Sequence, residues 1–518
     1  MLIVFVVALA LNLATAASTV MEGDGAELQT VGALGGVAHP PGYPTWTLLA
    51  RLFALVWPGE PARRVTALSA VAGAVALVVL MRLLRRLGAS TGVALAGVIL
   101  VGAAVTFRWA SIYPEVYAVA ALLLIVAAER TLWALQRPSA ASTFVATTCL
   151  TLAFTGYFAF APAILVCGLR LLLRAPRTPR SIAARAAVML GGIALGLTPY
   201  LYTVWADGSA LSMNYMRLVV DPSTGMFGLR PELFDSAWER LRWLALGSDE
   251  AQVFRFYAHP RLLLGNLLDA GAYELLFELG PAALILAPLG AIAIARRSAF
   301  ALWTMVSIGV LSLLFAVAIV YGRLLVPFLV PLTLVLAIVC AFGAEALASR
   351  VWRGRGALLG TVGIALMAAA LPHLIRIRAD QRPIGPRGWH FLVEGGPAVR
   401  GWPNFHDQRE PRETGERALA MMPQGAFVIG RWRELMTLYY LRDVEGRRRD
   451  LTFDPVYHGH EPRYARWQQT HDLRERPFVL LGRMPGLEPY LGARDSMRVN
   501  ENLTLYVLRE PMRGLPAP

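Results

Sequence analysis

Lysine is missing from all 518 residues, so the 49 basic side chains are all arginine. That excludes Schiff-base catalysis and a P-loop lysine. Cysteine is scarce, and Cys149, Cys167 and Cys340 all lie in apolar runs. They read as small core residues, with no disulfide framework. Charged residues make up only 16% of the chain, against about 25% in ordinary soluble domains. No G-x-S-x-G, Walker or dinucleotide fingerprint stands in a supporting context. His458-Gly459-His460-Glu461 has no further ligands at metal-site spacing and reads as a solvated loop. What the chain does have is apolar length. It is 56% hydrophobic, with a mean hydropathy of +0.50, and it contains many apolar runs of about 20 residues. A polytopic membrane protein follows. The net charge of +14 does not argue for nucleic acid, because the arginines sit between apolar segments and in the tail, without interleaved aromatics.

The first apolar segment runs from Leu2 to Thr19, and Ala14-Thr15-Ala16-Ala17 would also suit a signal peptidase. Either way Glu22 falls on the outer side. Further spans are expected near 64–81, 91–107, 116–135, 142–156, 159–173, 186–205, 272–295, 299–320, 324–348 and 357–375. With the first segment that makes about eleven. Arginine groups at 82–86, 130–137, 170–185, 296–297 and 350–355 all land on one side when the spans are counted in turn. The positive-inside rule makes that side cytoplasmic. The count turns on a break at Tyr157. The opposite side then carries a first outer loop at 20–62, with a short interfacial helix from Thr45 to Trp57, and a long loop at 206–271. It also carries the polar tail, 376–518, where strand-like runs at Ala426–Ile429, Phe478–Leu481 and Leu503–Leu508 flank helix-like text from Arg433 to Leu441. The expected fold class is mainly α, with a membrane module over 1–375 and a small extracytoplasmic α/β domain over 376–518.

The chemistry-bearing residues gather on the outer side. Asp24 and Glu27 stand at i and i+3 and share a face if a helix starts there. One acid could take a proton while the other orients a group or binds a divalent metal ion. A hydrated loop pair, with Asp24 as a helix cap, is the plainer alternative. His39 follows Glu27 by twelve residues and opens the stiff turn His39-Pro40-Pro41-Gly42-Tyr43-Pro44. Glu115 and Tyr117 stand at the outer mouth of the fourth span. Arg108 and Arg323 run against the positive-inside bias, as Arg51 and Arg217 do more weakly. An outer arginine can hold a phosphate bidentately, or can snorkel and pair with a neighbour. The span interiors read as largely bare of charge.

Asp24, Glu27, His39, Pro40, Pro41, Gly42 and Pro44 match, in kind and register, the opening signature of a large bacterial multi-pass family long without assigned function. The relatives of that family include a eukaryotic transmembrane protein O-mannosyltransferase. Glu115-Val116-Tyr117 and Arg323 with Pro327 resemble two further family motifs. The chain departs from the pattern with Gly25-Ala26 in place of Ser-Gly, and it lacks a histidine near Thr155-Gly156-Tyr157. The family is similar to the GT-C glycosyltransferases, which take a sugar from a polyprenyl-phosphate carrier on the outer membrane face. The resemblance implies Asp24 as base, with Glu27 and Glu115 orienting acceptor or metal. On this reading His39 and Arg323 contact phosphate, and Tyr43, Arg108, Glu115 and Tyr117 complete the substrate-binding set. The implied partners are a polyprenyl-phosphate sugar, a protein or glycan acceptor and the bilayer, with no nucleic acid, and the implied location is a bacterial inner membrane. The competing class is a non-catalytic polyprenyl-lipid transporter or flippase, which would carry ionisable residues in mid-membrane along a pathway.

Overall fold

Helix α4, Pro61–Arg86, sets the scale. Pro61 suits its first turn, and Arg85 and Arg86 complement the dipole in its last. Its 26 residues extend about 39 Å at 1.5 Å per residue, enough to cross a hydrocarbon core of about 30 Å. The computed structural model describes residues 1–223, 234–246, 278–319, 328–379, 402–455, 461–483 and 494–512, with a few isolated positions between.

Among the described residues, six helices are long and apolar enough to cross a membrane: Pro61–Arg86, Tyr117–Gln136, Pro179–Gly208, Ala299–Ala318, Val330–Val351 and Arg355–Ile375. Each coincides with an expected span. Four other expected spans appear as shorter apolar helices: α1 (Leu2–Thr15), α5 (Thr91–Ala103), α8 (Ala140–Gly156) and the segment Phe158–Leu172, whose α-helical part is α9 (Ala161–Leu172). The break expected at Tyr157 is present: that residue leaves the helix with φ −163° and ψ 107°. Both α8 and α9 pack against α7 (Tyr117–Gln136). In the stretch 272–295, the described helix covers Ala283–Arg297.

Three buried glutamates stand in or beside the expected spans. Glu129, near the end of α7, is 1% exposed and meets Arg82, Arg86 and Arg130 at 3.1, 2.9 and 2.6 Å. Glu274 accepts the Thr333 hydroxyl at 2.7 Å. Glu278 accepts the backbone N–H of Thr106 at 2.9 Å, together with the hydroxyl of that residue. Thr106 opens the short helix α6, Val105–Ala110, so Glu278 satisfies one of the N–H groups left over there.

The elements that follow α1 are stitched by buried polar side chains. Helix α2, Gly23–Leu34, carries Gln29, whose carbonyl accepts Met21 N–H at 2.9 Å. Its amide donates to Thr19 O, Ala62 O and Thr66 Oγ1 at 3.1, 3.3 and 3.2 Å. A fully buried amide satisfied in this way fixes α2 against the start of α4. Strand β1, Gly36–Val37, pairs in parallel with β2, Met213–Asn214, tying the segment after α2 to the segment after Gly208. Helix α3, Pro44–Val56, exposes Leu48, Leu52, Leu55 and Val56 on one side, as an interfacial helix would.

The C-terminal unit is a five-stranded sheet in the order β4-β3-β5-β7-β6. The strands are β3 (Phe427–Gly430), β4 (Thr452–Pro455), β5 (Phe478–Leu481), β6 (Arg494–Arg498) and β7 (Thr504–Leu508). β3 runs parallel to β4 and β5, while β7 is antiparallel to β5 and β6. All four residues of β3 and of β5 are buried, as central strands with both faces covered should be. Helices Glu410–Met421, Trp432–Asp443 and Glu461–Thr470 complete the α/β pattern.

Candidate active site

Asp24 and Glu27 lie in the first turns of α2, on the shared face expected from their spacing. The cap position belongs to Glu22, not Asp24. Glu27 is fully buried and is held by one residue twice. Its Oε1 accepts the backbone N–H of His39 at 2.7 Å, and its Oε2 lies 2.5 Å from His39 Nδ1. The stiff turn explains how a residue twelve positions on can do this. Gly42 supplies φ +83°, where a Cβ would also come within 2.8 Å of Leu244, and Tyr43 follows in the left-handed region. The chain thereby doubles back, and Pro44 starts α3. Tyr43 Oη sits 3.1 Å from His39 Nε2, and Asp24 Oδ2 sits 4.0 Å from the same nitrogen.

The electrostatics follow from this packing. Burial raises the pKa of Glu27, and the neighbouring His39 only partly offsets it. For His39, burial opposes the charged ring, but the carboxylates of Glu27, Asp24 and Glu115 outweigh it and lift the ring to about 10. The imidazole is therefore charged at neutral pH, and its Nδ1–H is directed at Glu27. Asp24 remains the more open acid, with its side chain 39% exposed.

Asp24, Glu27 and His39 also offer three ligand atoms within 4.8 Å of one another. Two carboxylates and an imidazole suit a divalent cation in kind and spacing. As described, His39 and Glu27 make a hydrogen bond, so an ion would have to displace the proton between them.

The remaining predicted residues divide. Glu115 is buried close enough to raise the pKa of His39. Tyr117 belongs to an aromatic run beneath the turn: its ring meets Tyr157 edge-on at 5.2 Å, and Tyr157 stacks with Tyr43 at 6.3 Å. Arg108 is buried against α1. It donates to the Leu11 carbonyl at 3.0 Å and to Asn12 and Thr15, and it stands 5.1 Å from the centre of the Trp402 ring. Arg51 donates to Ala33 O and Arg217 to Asp207 O. Arg323 and His458–His460 lie outside the described residues. The Gly25 departure has a local reason: a Cβ there would come within 3.0 Å of the Tyr113 ring.

Sequence reasoning missed one participant. The indole N–H of Trp432, at the start of the helix Trp432–Asp443, donates to Asp24 Oδ1 at 2.8 Å. The two residues are 408 positions apart, and no local pattern links them.

The comparisons with known proteins bear on this geometry. Residues 24–180, which hold every described residue of the acid cluster except Trp432, match the family model of the protein O-mannosyl-transferase TMEM260 N-terminal domain. The mouse protein O-mannosyl-transferase TMEM260 is 43% identical over 97 residues, which is 18% of this chain and 14% of that protein. Among solved structures, ArnT from Cupriavidus metallidurans bound to undecaprenyl phosphate aligns over 100% of this chain and 97% of its own. The TM-score is 0.50 at 15% identity. The fold is GT-C. The acid cluster lies on the stretch between the first apolar helix, α1, and α4. The match to the TMEM260 N-terminal domain begins at Asp24 and ends at residue 180, in the first turn of α10, Pro179–Leu197. The apo form of ArnT aligns with a TM-score of 0.49.

Proposed function

We propose that this protein transfers a sugar from a polyprenyl-phosphate carrier to an acceptor hydroxyl on the extracytoplasmic face of a bacterial inner membrane. Mannose is the first candidate sugar and a protein side chain the first candidate acceptor, given the relation to the TMEM260 N-terminal domain. The undecaprenyl phosphate held by ArnT is the model for the carrier. The observation that carries the reading is the pairing of a fully buried Glu27 with His39 beside a more exposed Asp24.

The chemistry proceeds without a nucleotide. The acceptor oxygen attacks the anomeric carbon, the bond from that carbon to the phosphate oxygen breaks, and the lipid phosphate leaves with its negative charge. Asp24 takes the acceptor proton. The His39 imidazolium, fixed by Glu27, supplies positive charge beside the reacting groups without releasing a proton. Arg323 is assigned to the leaving phosphate on sequence grounds. Where a divalent cation binds, Asp24, Glu27 and His39 would hold it, and it would polarise the groups that Asp24 faces.

Glu274 and Glu278 favour the second reading, a lipid transporter, because buried acids in a membrane module are what a transport pathway needs. Their bonds to Thr333 and Thr106 serve equally to join helix starts. Purified protein, polyprenyl-phosphate sugars with a radiolabelled head group and cell-envelope acceptors separate the two readings. Labelled acceptor supports transfer. Lipid crossing liposomes with no labelled acceptor supports transport.

A further inference from the structure

Asp24 Oδ1 and Oδ2 have different neighbours. Oδ2 looks toward His39 Nε2 at 4.0 Å, and Oδ1 accepts the Trp432 indole N–H at 2.8 Å. A half-exposed carboxylate on a first helical turn can ordinarily rotate, so a donor at hydrogen-bond distance fixes which oxygen faces the acceptor. The indole itself is a donor only and cannot take up or release a proton in the working range.

The indole is held from several directions. Its ring meets Tyr215 edge-on at 5.6 Å and packs against the cluster formed around Val37, Trp243 and Leu244. Its helix lies along α2 and is fastened to the first outer loop at three further points. Arg433 pairs with Glu22, Thr437 Oγ1 donates to Met21 O at 2.8 Å, and Tyr440 Oη accepts Ala62 N–H at 2.9 Å. Each partner lies in 21–62. The C-terminal unit is therefore docked on the stretch that carries the acids.

We infer that Trp432 is a positioning residue for Asp24, and that the C-terminal unit completes the active site by presenting it. The inference rests on the reading of Asp24 as the base. Its test uses the full chain in detergent or nanodiscs. Trp432→Phe is expected to lower kcat by about 10- to 100-fold, the scale of a misplaced catalytic group, with both KM values within about twofold. In the Asp24→Asn background the same substitution is expected to cost nothing further, because the two residues act as one unit. Thr437→Val, which loosens the same interface away from Asp24, is expected to leave kcat nearly unchanged. A raised acceptor KM with unchanged kcat would show Trp432 contacting substrate, and equal losses in Thr437→Val would reduce the effect to docking. Either result overturns the inference.

A readout independent of turnover separates this inference from the proposed function. In protein labelled with ¹⁵N at the indole, the signal lost in Trp432→Phe should move in Asp24→Asn. An unmoved signal overturns the inference even where wild-type protein transfers sugar. A moved signal supports it even where no donor is used.

Discussion

Two buried glutamates, one at each end of the bundle, show how the same side chain serves different ends. Glu129 is surrounded by Arg82, Arg86 and Arg130, cations that stay charged across the whole working range. Among the described residues Glu27 has one counter-group, His39, whose ring can change its charge. Between the two ends α4 runs from Ala62, which meets Gln29 of α2, to Arg86, which meets Glu129. That is a separation of about 36 Å at 1.5 Å per residue. At the arginine end a permanent ion-pair knot ties α4 to α7. At the other end a hydrogen-bonded Glu27–His39 pair sits beside an open acid. Burial alone does not mark a site; what distinguishes Glu27 is a partner that can titrate.

The sharpest way to break this comparison is to neutralise each glutamate in turn. Glu27→Gln removes the carboxylate charge and leaves one acceptor oxygen where two hold His39, and it is expected to lower transfer by about 100-fold or more. Glu129→Gln should preserve turnover per folded molecule. It should destabilise the fold by on the order of 3 kcal/mol, because three cations lose their shared partner in a buried setting. Thermal unfolding in detergent and initial rates, measured on the same preparations, check both. Equal activity losses would erase the distinction.

The pH response should differ next. The unfolded His39 ring titrates near 6.5, whereas the folded ring is raised to about 10. Its contribution to stability is therefore full below about 6.5 and is lost as pH rises through about 10. The raised pKa of Glu27 acts with the same sign, since the folded state holds that proton to higher pH than the unfolded chain does. Stability of wild-type protein should fall over that alkaline window, and His39→Gln should flatten the fall. An unchanged alkaline limb in His39→Gln would contradict the pairing. The smallest effect is expected at Tyr43, whose hydroxyl touches His39 Nε2 at 3.1 Å. Tyr43→Phe removes that contact and the longer one to Pro40 O at 3.4 Å, together worth on the order of 1 kcal/mol, so the rate should drop by several-fold while the aromatic packing remains.

Much of this arrangement was legible in the sequence, for identifiable reasons. The helical start at Gly23, the i, i+3 acids and the Pro-rich turn are local signals, and the structure brings Asp24, Glu27, His39 and Tyr43 together. The runs read as strands at Ala426, Phe478 and Leu503 became β3, β5 and β7, whose apolar text needs no distant partner to be recognised. β4 and β6 were not read: Thr452–Pro455 ends in Asp-Pro, and Arg494–Arg498 is a polar edge strand. Arg108 was read from its unusual side of the membrane, but its orientation depends on Asn12 and Thr15 of α1, and spacing does not encode that contact. Trp432 was not read because its partner lies in another unit of the chain. Glu274 and Glu278 stood in plain view, but their burial becomes visible only once Thr106 and Thr333 close over them.

The most direct test of the account is sugar transfer by Asp24→Asn. Purified wild-type protein and the variant would be given radiolabelled polyprenyl-phosphate mannose and a cell-envelope acceptor fraction, with folding checked by thermal unfolding. The account predicts labelled acceptor from wild-type protein and a loss of about 100-fold or more in an equally stable variant. Undiminished transfer by Asp24→Asn would contradict it.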